Sequence, residues 1–340
     1  MTLQSSGEIR FSQIKDEFGY SVPGTTSVSL GNYRNSDPQF SNRNVGTLTD
    51  LPLDTGVPKA GEIKASDFYS KKLNVVVDLF SQANETTRQN IKNRWNSGNV
   101  FVIGGYRGRP PSSTGTKVIA NIDKIIGSEK NGQKRCAVRT GTWDANTTLD
   151  IQIASGAKLY GSGGNGGNGS TPRGSGGTGE TGTSALGIEY SCTVNNLGLI
   201  QSGYGGGGGG GGRVEYRRSG KKGGKDVGSS GGGGAGGPGF PIGAAGAAGT
   251  GAFEGGSNGS AGQAGNYNPS TKRTGGAGGQ NAGKGGDTSN VNNTATKADN
   301  GGEGGGTGGN NGYAIVTSLG TISLTGNPVV GRTLTNTSPD

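Results

Sequence analysis

Aromatic and basic residues beside long glycine runs are the side chains of this sequence best suited to binding. A tyrosine or phenylalanine ring next to arginine or lysine can recognise anionic sugars or the polar loops of a surface protein. The candidates are Tyr204, Arg213, Tyr216, Arg217, Arg218, Lys221, Lys222, Phe240, Phe253, Tyr267, Lys272 and Arg273. Basic stretches can also serve only to keep a surface soluble, so the interpretation depends on what positions these residues.

Composition argues against catalysis. The chain has no histidine and only two cysteines, Cys136 and Cys192, which excludes triads built on histidine and zinc sites built on cysteine. We expect two separate buried thiols, with a disulfide between them as the alternative. Gly278–Lys284 has the spacing of a phosphate-binding loop, but Gly285 stands where magnesium needs a hydroxyl group. The sequence therefore predicts no enzyme, cofactor, metal or nucleotide, and no motif for specific nucleic acid accompanies the basic charge.

The elements that must position the candidate residues are rich in glycine. Residues 161–312 contain 57 of the 76 glycines, many of them at every third position. Two such series are Gly161, Gly164, Gly167 and Gly163, Gly166, Gly169. Three residues per turn is the period of the polyproline II helix, which has no internal hydrogen bonds. The spacing therefore predicts a packed bundle of polyglycine II helices that touch along glycine edges and present the segments connecting them.

The number of glycine edges on each helix predicts its depth in the bundle. Gly205–Gly212 is glycine on every side, so we expect it at the centre, spanning about 25 Å at roughly 3.1 Å per residue. Residues 243–249 have one glycine edge and many alanines, which predicts a position at the rim. A flexible linker fits poorly because a tether needs no phased spacing. Collagen fits poorly because the triplets are short and only 12 prolines are present.

Four segments follow from composition and charge. We predict an extended arm over 1–72, a small α+β domain over 73–160, the polyglycine bundle over 161–312, and C-terminal strands and a tail over 313–340. The fold class is mainly β and irregular. Basic and acidic residues number eight and eight in the arm, twelve and six in the α+β domain, and eleven and eight in the bundle. Six of the eleven basic residues in the bundle lie in 213–225.

The first 72 residues repeat a short module, in which an extended piece precedes one apolar turn that ends in an aromatic residue. Clear copies begin at Glu8 and Glu62, and a degenerate copy covers 28–33. Such units bury little area alone, so we expect an arm that becomes ordered against a larger partner, with a disordered tail as the alternative. The candidate attachment residues are Phe11, Ile14, Phe18, Tyr33, Phe68 and Tyr69.

Apolar and β-branched runs predict strands on both sides of the glycine region. These strands cover 73–79, 99–103, 117–122, 149–153, 313–316 and 321–324. Alternation over 185–200 predicts a pair of strands with a turn at Asn195 and Asn196. We expect this pair and the C-terminal strands to pair with 73–160 and to anchor the base of the bundle.

One helix is predicted between the first two strands. It begins near 84–87, carries Ile91 and Trp95 on one face, and ends at Gly98. Trp95 and Trp143 are expected in the core. The opening MTLQSSGEIRF lacks the basic and apolar regions of a secretory signal, and apolar runs are too short to span a membrane, so we expect synthesis in the cytoplasm.

The run SALGIEYSCTVNNLGLIQSGYGGGGGGGG, together with the phased glycines, resembles the glycine-rich tail-fibre adhesins of tailed bacteriophages. The resemblance covers about residues 155–316. The segments MTLQSSGEIRFSQIKDEFG and GEIKASDFYSKK resemble short modules common in phage tail structural proteins. The arm and the basic domain over 73–160 depart from the adhesin pattern, which leaves the mounting site on the virion open.

The resemblance implies a polyglycine sandwich at a fibre tip, whose loops contact receptors on the host outer membrane. By position these loops are 213–225, 240–242, 253–254, 266–273 and 287–300. We therefore expect a virion tail protein, made in the host cytoplasm, that binds a surface polysaccharide or an outer-membrane protein. Its arm would contact other phage tail proteins, and a homo-oligomer is open. The alternatives are a purely structural tail or baseplate component and an ice-binding protein.

Overall fold

The structure is a computed structural model in which strands predominate. It describes residues 3–18, 29–33, 57–58, 60–71, 74–78, 88–97, 100–101, 112–130, 132–171, 174–209, 213–218, 224–230, 233–250, 306–318 and 320–340. The helices are α1 (Phe11–Phe18) and α2 (Ile91–Asn96), and 3₁₀ turns cover Leu30–Tyr33 and Ala65–Phe68. The strands are β1 (Asn74–Asp78), β2 (Gln89–Asn90), β3 (Val100–Phe101), β4 (Lys117–Ile122), β5 (Ile125–Ile126), β6 (Cys136–Arg139), β7 (Thr148–Ile153), β8 (Lys158–Tyr160), β9 (Ser184–Ile188), β10 (Cys192–Asn196), β11 (Leu199–Gln201), β12 (Arg213–Arg218), β13 (Gly224–Ser229), β14 (Ile315–Thr317), β15 (Ile322–Gly326) and β16 (Thr333–Leu334).

Consecutive strands from β4 to β11 lie in three different sheets. The first sheet has the order β15-β10-β7-β4-β1-β3, the second β11-β8-β5, and the third β16-β14-β9-β6-β2. All neighbours in these sheets are parallel except β1 and β3. The chain therefore winds as a three-sided coil, and successive turns from β4 to β14 each add one strand to every sheet. We call this coil the solenoid.

Aliphatic side chains stack inside the solenoid because its strands pair in parallel register. In the first sheet Val118 lies beside Leu149, and Leu149 lies beside Cys192. These side chains are buried, as are those of Ile126 and Leu159 in the second sheet. Each buried aliphatic side chain stabilises the fold by about 1.5–3 kcal/mol relative to an exposed one.

Helix α2 covers one end of the solenoid. Asn90 caps it by accepting the Asn93 N–H, 3.0 Å away, so the helix begins at Ile91. The predicted start at 84–87 lies outside the described residues. Ile91 and Trp95 are buried one turn apart, which confirms the predicted face. Trp143 is also buried and packs edge-on against Trp95, with ring centroids 5.6 Å apart.

The strands of 73–160 do not form a sheet by themselves. Strand β7 pairs with β10 and β6 with β9, so the predicted pairing of 73–160 with 185–200 is confirmed. The C-terminal strands β14 and β15 pair with β9 and β10 instead, so the prediction that they pair with 73–160 is wrong. The predicted turn at Asn195 and Asn196 is wrong, since both residues lie in β10. Strands β9 and β10 belong to different sheets, because the chain rounds a corner of the solenoid between them.

Six glycine-rich segments extend from one corner of the solenoid, the corner between the second and third sheets. Residues 161–183 lie between β8 and β9, and residues 202–314 lie between β11 and β14. Apart from strands β12 and β13, the described parts of these two ranges form no helix or strand. We call them rod 1 (161–169), rod 2 (174–183), rod 3 (203–209), rod 4 (233–239), rod 5 (243–250) and rod 6 (306–312).

Hydrogen bonds join the rods at every third residue. The N–H groups of Gly161, Gly164 and Gly167 in rod 1 donate to the carbonyls of residues 201, 204 and 207 at 2.8–2.9 Å. The N–H groups of Gly203, Gly206 and Gly209 in rod 3 donate to rod 2 at 2.8–2.9 Å. The three-residue period of the glycine spacing is thus also the period of the contacts between rods.

The described rods form two rows of three. One row has the order rod 2, rod 1, rod 5 and the other has the order rod 6, rod 3, rod 4, with hydrogen bonds within and between the rows. Rod 3 bonds to four of the other five described rods, and its residues 205–209 are buried, as predicted for continuous glycine. Rod 5 bonds only to rods 1 and 4 among them, and its Ala244 and Ala247 are exposed, as predicted for the rim.

Glycine is required because the backbones lie too close for any side chain. A Cβ atom on Gly203, Gly206 or Gly209 would stand 1.9–2.0 Å from a carbonyl oxygen of rod 1. A Cβ atom on Gly205 or Gly208 would stand 1.8–2.0 Å from a carbonyl oxygen of rod 6. Two edges of rod 3 are therefore closed to every residue except glycine.

The repeated modules of the arm pack against each other instead of lying extended. Ile14 of α1, Tyr33 and Phe68 are fully buried in the same hydrophobic cluster as the solenoid interior. The rings of Tyr33 and Phe68 meet edge-on, 6.0 Å between centroids. The prediction that Ile14, Tyr33 and Phe68 are attachment residues is therefore wrong. Their side chains are core residues, because other side chains of the same protein already cover them.

The remaining attachment candidates are less enclosed. Phe11 is 37% exposed and Tyr69 is half-buried, with its hydroxyl donating to the Gly7 carbonyl. The side chain of Phe18 lies outside the described residues. A backbone hydrogen bond joins the two ends of the arm, since the Leu3 N–H donates to the Lys71 carbonyl at 2.9 Å.

Gly206→Ala is expected to lower the free energy of unfolding by at least about 2 kcal/mol, because the methyl group forces rods 1 and 3 apart. Thermal unfolding followed by circular dichroism would measure this. Gly174→Ala is the matched control, since its Cβ atom would meet nothing closer than 3.2 Å. Equal stability of the two variants would contradict close backbone contact as the reason for glycine.

Candidate functional site

The rods alternate in direction, and this divides the bundle into two ends. Rod 1 directly follows β8, rod 2 directly precedes β9, and rod 6 directly precedes β14. Rods 1, 3 and 5 are parallel to one another, whereas rods 2, 4 and 6 run the opposite way. The near end, at the solenoid, therefore holds the connection 240–242. The far end holds the last residues of rods 1, 3 and 5 and the first residues of rods 2, 4 and 6.

The corner loop 127–135 supports the near end. Its Lys130 donates to the Asn165 side-chain carbonyl of rod 1 at 2.7 Å, and its Gln133 side chain donates to the Asn311 carbonyl of rod 6. Ser184, at the start of β9, donates to the Gln133 carbonyl at 2.6 Å. No pattern in the sequence indicates a role for this loop, which lacks glycine periodicity and strand alternation.

Phe240 lies at the near end and is not a tip residue. The Ser128 N–H donates to its carbonyl at 3.2 Å, and its ring lies over Gly127, where a Cβ atom would come within 2.6 Å of it. The expectation that 240–242 is a distal loop is therefore wrong, because rod 4 returns to the solenoid before rod 5 leaves it. The exposed Ile242, 40% accessible, shares this position.

Tyr204 is also buried, so the prediction that it contacts a receptor is wrong. It is 3% exposed and lies at the start of rod 3, and its carbonyl accepts the Gly164 N–H at 2.9 Å. Burial raises the pKa of its phenol above the usual range. An aromatic residue beside the glycine run thus belongs to the packing between rods.

Two asparagine side chains of rod 1 bind rod 5. The Asn165 and Asn168 side-chain carbonyls accept the N–H groups of Ala244 and Ala247, each at 2.8 Å. Rod 5 has few glycine edges, and these two amides provide hydrogen bonds that a backbone would otherwise supply. Polar residues that recur at every third position of rod 1 therefore hydrogen-bond to a neighbouring rod.

An antiparallel hairpin lies in the far-end connection between rods 3 and 4. Strand β12 pairs with β13 from Arg213 opposite Ser229 to Arg218 opposite Gly224. Arg213, Tyr216, Arg217 and Arg218 all belong to β12, so the structure brings four candidate contact residues together on one strand. The predicted loop over 213–225 therefore contains a strand, for which the alternation in RVEYRR is a local signal.

Several other candidates fall outside the described residues. These are Lys221, Lys222, Phe253, Tyr267, Lys272 and Arg273. The rods that flank 251–305 end at the far side, since rod 5 leaves the solenoid and rod 6 returns to it.

The described residues contain no cluster of acidic groups and cysteines suited to a metal ion, and none of their helices is long and apolar enough to cross a membrane. Cys136 lies in the third sheet and Cys192 in the first, and both are buried free thiols. Burial raises the pKa of both thiols, that of Cys192 to about 12. The separate thiols predicted from sequence are confirmed, and neither resembles an activated nucleophile.

A sequence model of the family described as phage tail fibre adhesin Gp38 matches residues 82–333. The chain belongs to this family. It is therefore a non-enzymatic component of a phage tail, as the resemblance in the glycine region indicated. The crystal structure of the gp37-gp38 adhesin tip complex of the bacteriophage S16 long tail fiber is similar over 82% of this chain and 90% of that chain, at 18% identity and a TM-score of 0.35. No curated protein matches the chain.

Both thiols of this adhesin are expected to resist modification in the native state, because they are buried and protonated at neutral pH. Titration with a chromogenic disulfide reagent should detect almost no thiol before denaturation and two thiols after it. Rapid reaction of the native protein would show that Cys136 or Cys192 is accessible.

Proposed function

We propose that the six rods are polyglycine II helices and that their bundle holds receptor-binding segments at a distance from the virion. The three-residue hydrogen-bond period supports this assignment, since polyproline II geometry has three residues per turn and pairs its backbone outward. Backbone contacts between buried rods leave little freedom at the far end. Segments fixed on such a support lose less entropy on binding.

The observation that carries the proposal is the separation of the two ends. The solenoid and the arm lie at the near end, and the hairpin β12–β13 lies in the connection between the far termini of rods 3 and 4. In this arrangement the arm and the solenoid mount the protein on another tail protein. The far end then contacts the host, with the hairpin and 251–305 as its binding segments.

Charge favours an anionic receptor. Six basic residues lie in 213–225, against a single acidic residue, Glu215. Arginine forms bidentate hydrogen bonds with carboxylate and phosphate groups, and tyrosine stacks on sugar rings. The receptor is accordingly an acidic surface polysaccharide or an acidic loop of an outer-membrane protein.

Excision of the hairpin tests this function. Because Arg213 pairs with Ser229, residues 213–229 should be removed as a unit and rods 3 and 4 joined by a short glycine linker. Adsorption of phage to host cells is expected to fall at least about tenfold, the loss typical of removing one binding hot spot. Quantitative immunoblotting should find the variant on assembled particles at the wild-type level.

Ile242→Ser is the control for this experiment, since it changes an exposed residue at the near end and should leave adsorption unchanged. A purely structural tail component gives a different result. In that case, excision of the hairpin would impair particle assembly, whereas complete particles would adsorb normally.

A further inference from the structure

A basic groove lies on the solenoid, and none of its lining residues belongs to a rod. It has a volume of about 470 Å³ and is formed by β2, α2 and the end of β6. Its lining includes three arginines, Arg88, Arg94 and Arg139, together with the side chains of Asn93 and Ser97. All lining residues carry hydrogen-bond donors and none is acidic, which is the lining that an anion requires.

Two of the guanidinium groups are held in place by neighbouring side chains. Arg139 binds Glu189 through two nitrogens, with Nε 3.3 Å from Oε2. Arg94 Nε donates to the buried Gln89 side-chain carbonyl at 2.9 Å. A guanidinium fixed in this way has less freedom to lose when it binds a carboxylate.

The cluster around the groove keeps an excess of positive charge. Arg88 and Arg135 share one carboxylate, that of Glu129, with nitrogen–oxygen distances of 3.8 and 3.4 Å. Glu189 is the partner of Arg139, whereas the hydrogen bond of Arg94 to Gln89 is to a neutral amide. Four guanidinium groups thus face two carboxylates, and an added anion would relieve their mutual repulsion.

We propose that this groove is a docking site for a carboxylate-bearing segment of a neighbouring tail protein. The planar arginine fork matches a carboxylate group in two parallel hydrogen bonds. Residues 73–160 carry twelve basic and six acidic side chains, so the surface around the groove also attracts an acidic partner. The choice of a virion partner rests on the proposed function, in which the solenoid lies toward the tail and the rods toward the host.

Fluorescence anisotropy with a labelled glutamate-rich peptide tests the groove in the full-length protein. Wild-type protein should bind this peptide and not its glutamine counterpart. Roughly 0.5 M salt should abolish binding, because salt screens the attraction between exposed charges. Arg94→Gln should weaken binding about tenfold, the effect of losing one charge-assisted interaction. Lys124→Gln removes the same charge from an exposed residue outside the groove and should bind like wild type.

Asn93→Asp supplies a second variant that leaves Arg94 and its contact with Gln89 unchanged. It places a carboxylate on an exposed lining residue, so it should weaken peptide binding while the melting temperature stays at the wild-type value. Equal peptide affinity of wild type, Arg94→Gln and Asn93→Asp would overturn the proposal. Stronger competition by an acidic polysaccharide such as polygalacturonate would also overturn it, because the groove would then be a sugar site.

Incorporation into particles separates this inference from the proposed function. Phage lacking the native protein should incorporate less Arg94→Gln than wild type when each is supplied in trans, whereas purified Arg94→Gln should still bind host cells. The hairpin-excised protein should show the reverse pattern, with normal peptide binding and incorporation but weak cell binding. Normal incorporation of Arg94→Gln would contradict a docking role, even if the hairpin proves to bind the host.

Discussion

The structure depends on one constraint, the approach of neighbouring backbones to within hydrogen-bond distance on several sides of one chain. A strand satisfies its backbone on two sides and leaves its faces to side chains. Rod 3 instead donates to rods 2 and 4 and accepts from rods 1 and 6. This leaves no space for a Cβ atom at Gly203 or Gly208, where carbonyl oxygens would be 1.8–1.9 Å away. Glycine loses more entropy on folding than other residues, and the dense hydrogen bonding of buried backbone offsets that loss.

The solenoid supplies what the rods lack. A bundle without an apolar interior has little to fix its register, whereas the solenoid has stacked aliphatic side chains and continuous parallel ladders. The chain leaves the solenoid at one corner and must return to it to form the next strand. An insertion made of straight rods therefore contains an even number of them, as in rods 1 and 2 between β8 and β9. This parity places some connections at the far end and others, such as 240–242, against the corner loop.

Sequence reasoning identified the features that depend on local spacing. Glycine at every third residue predicted the contact period, and continuous glycine predicted the burial of 205–209. It also located β4, β7 and β15, because β-branched runs bounded by turn residues are local signals. It missed the coiled arrangement, since nothing in 117–122 or 149–153 indicates whether two strands pair in parallel or lie in a hairpin.

The errors at the candidate site have the same origin. Phe240 and Tyr204 were assigned to a binding surface because they interrupt or flank glycine, but burial depends on where the rod ends. Counting the rods could have corrected the prediction for Phe240, because rods that alternate in direction place every second connection at the solenoid. The arginine groove escaped notice because Arg88, Arg94 and Arg139 meet only when β2 pairs beside β6. That pairing joins residues about 50 positions apart and leaves no local pattern.

Because the rods bind through backbone atoms, the two ends of the bundle tolerate change differently. A change in 213–229 alters neither the glycine edges of rods 3 and 4 nor the hydrogen bonds between them, so far-end segments can vary in length and charge without loss of the support. The near end has no such freedom. Lys130 and Gln133 bind specific groups of rods 1 and 6, and Phe240 covers Gly127. The sequence can therefore diversify at the far end while the near end stays constrained by its contacts with the solenoid.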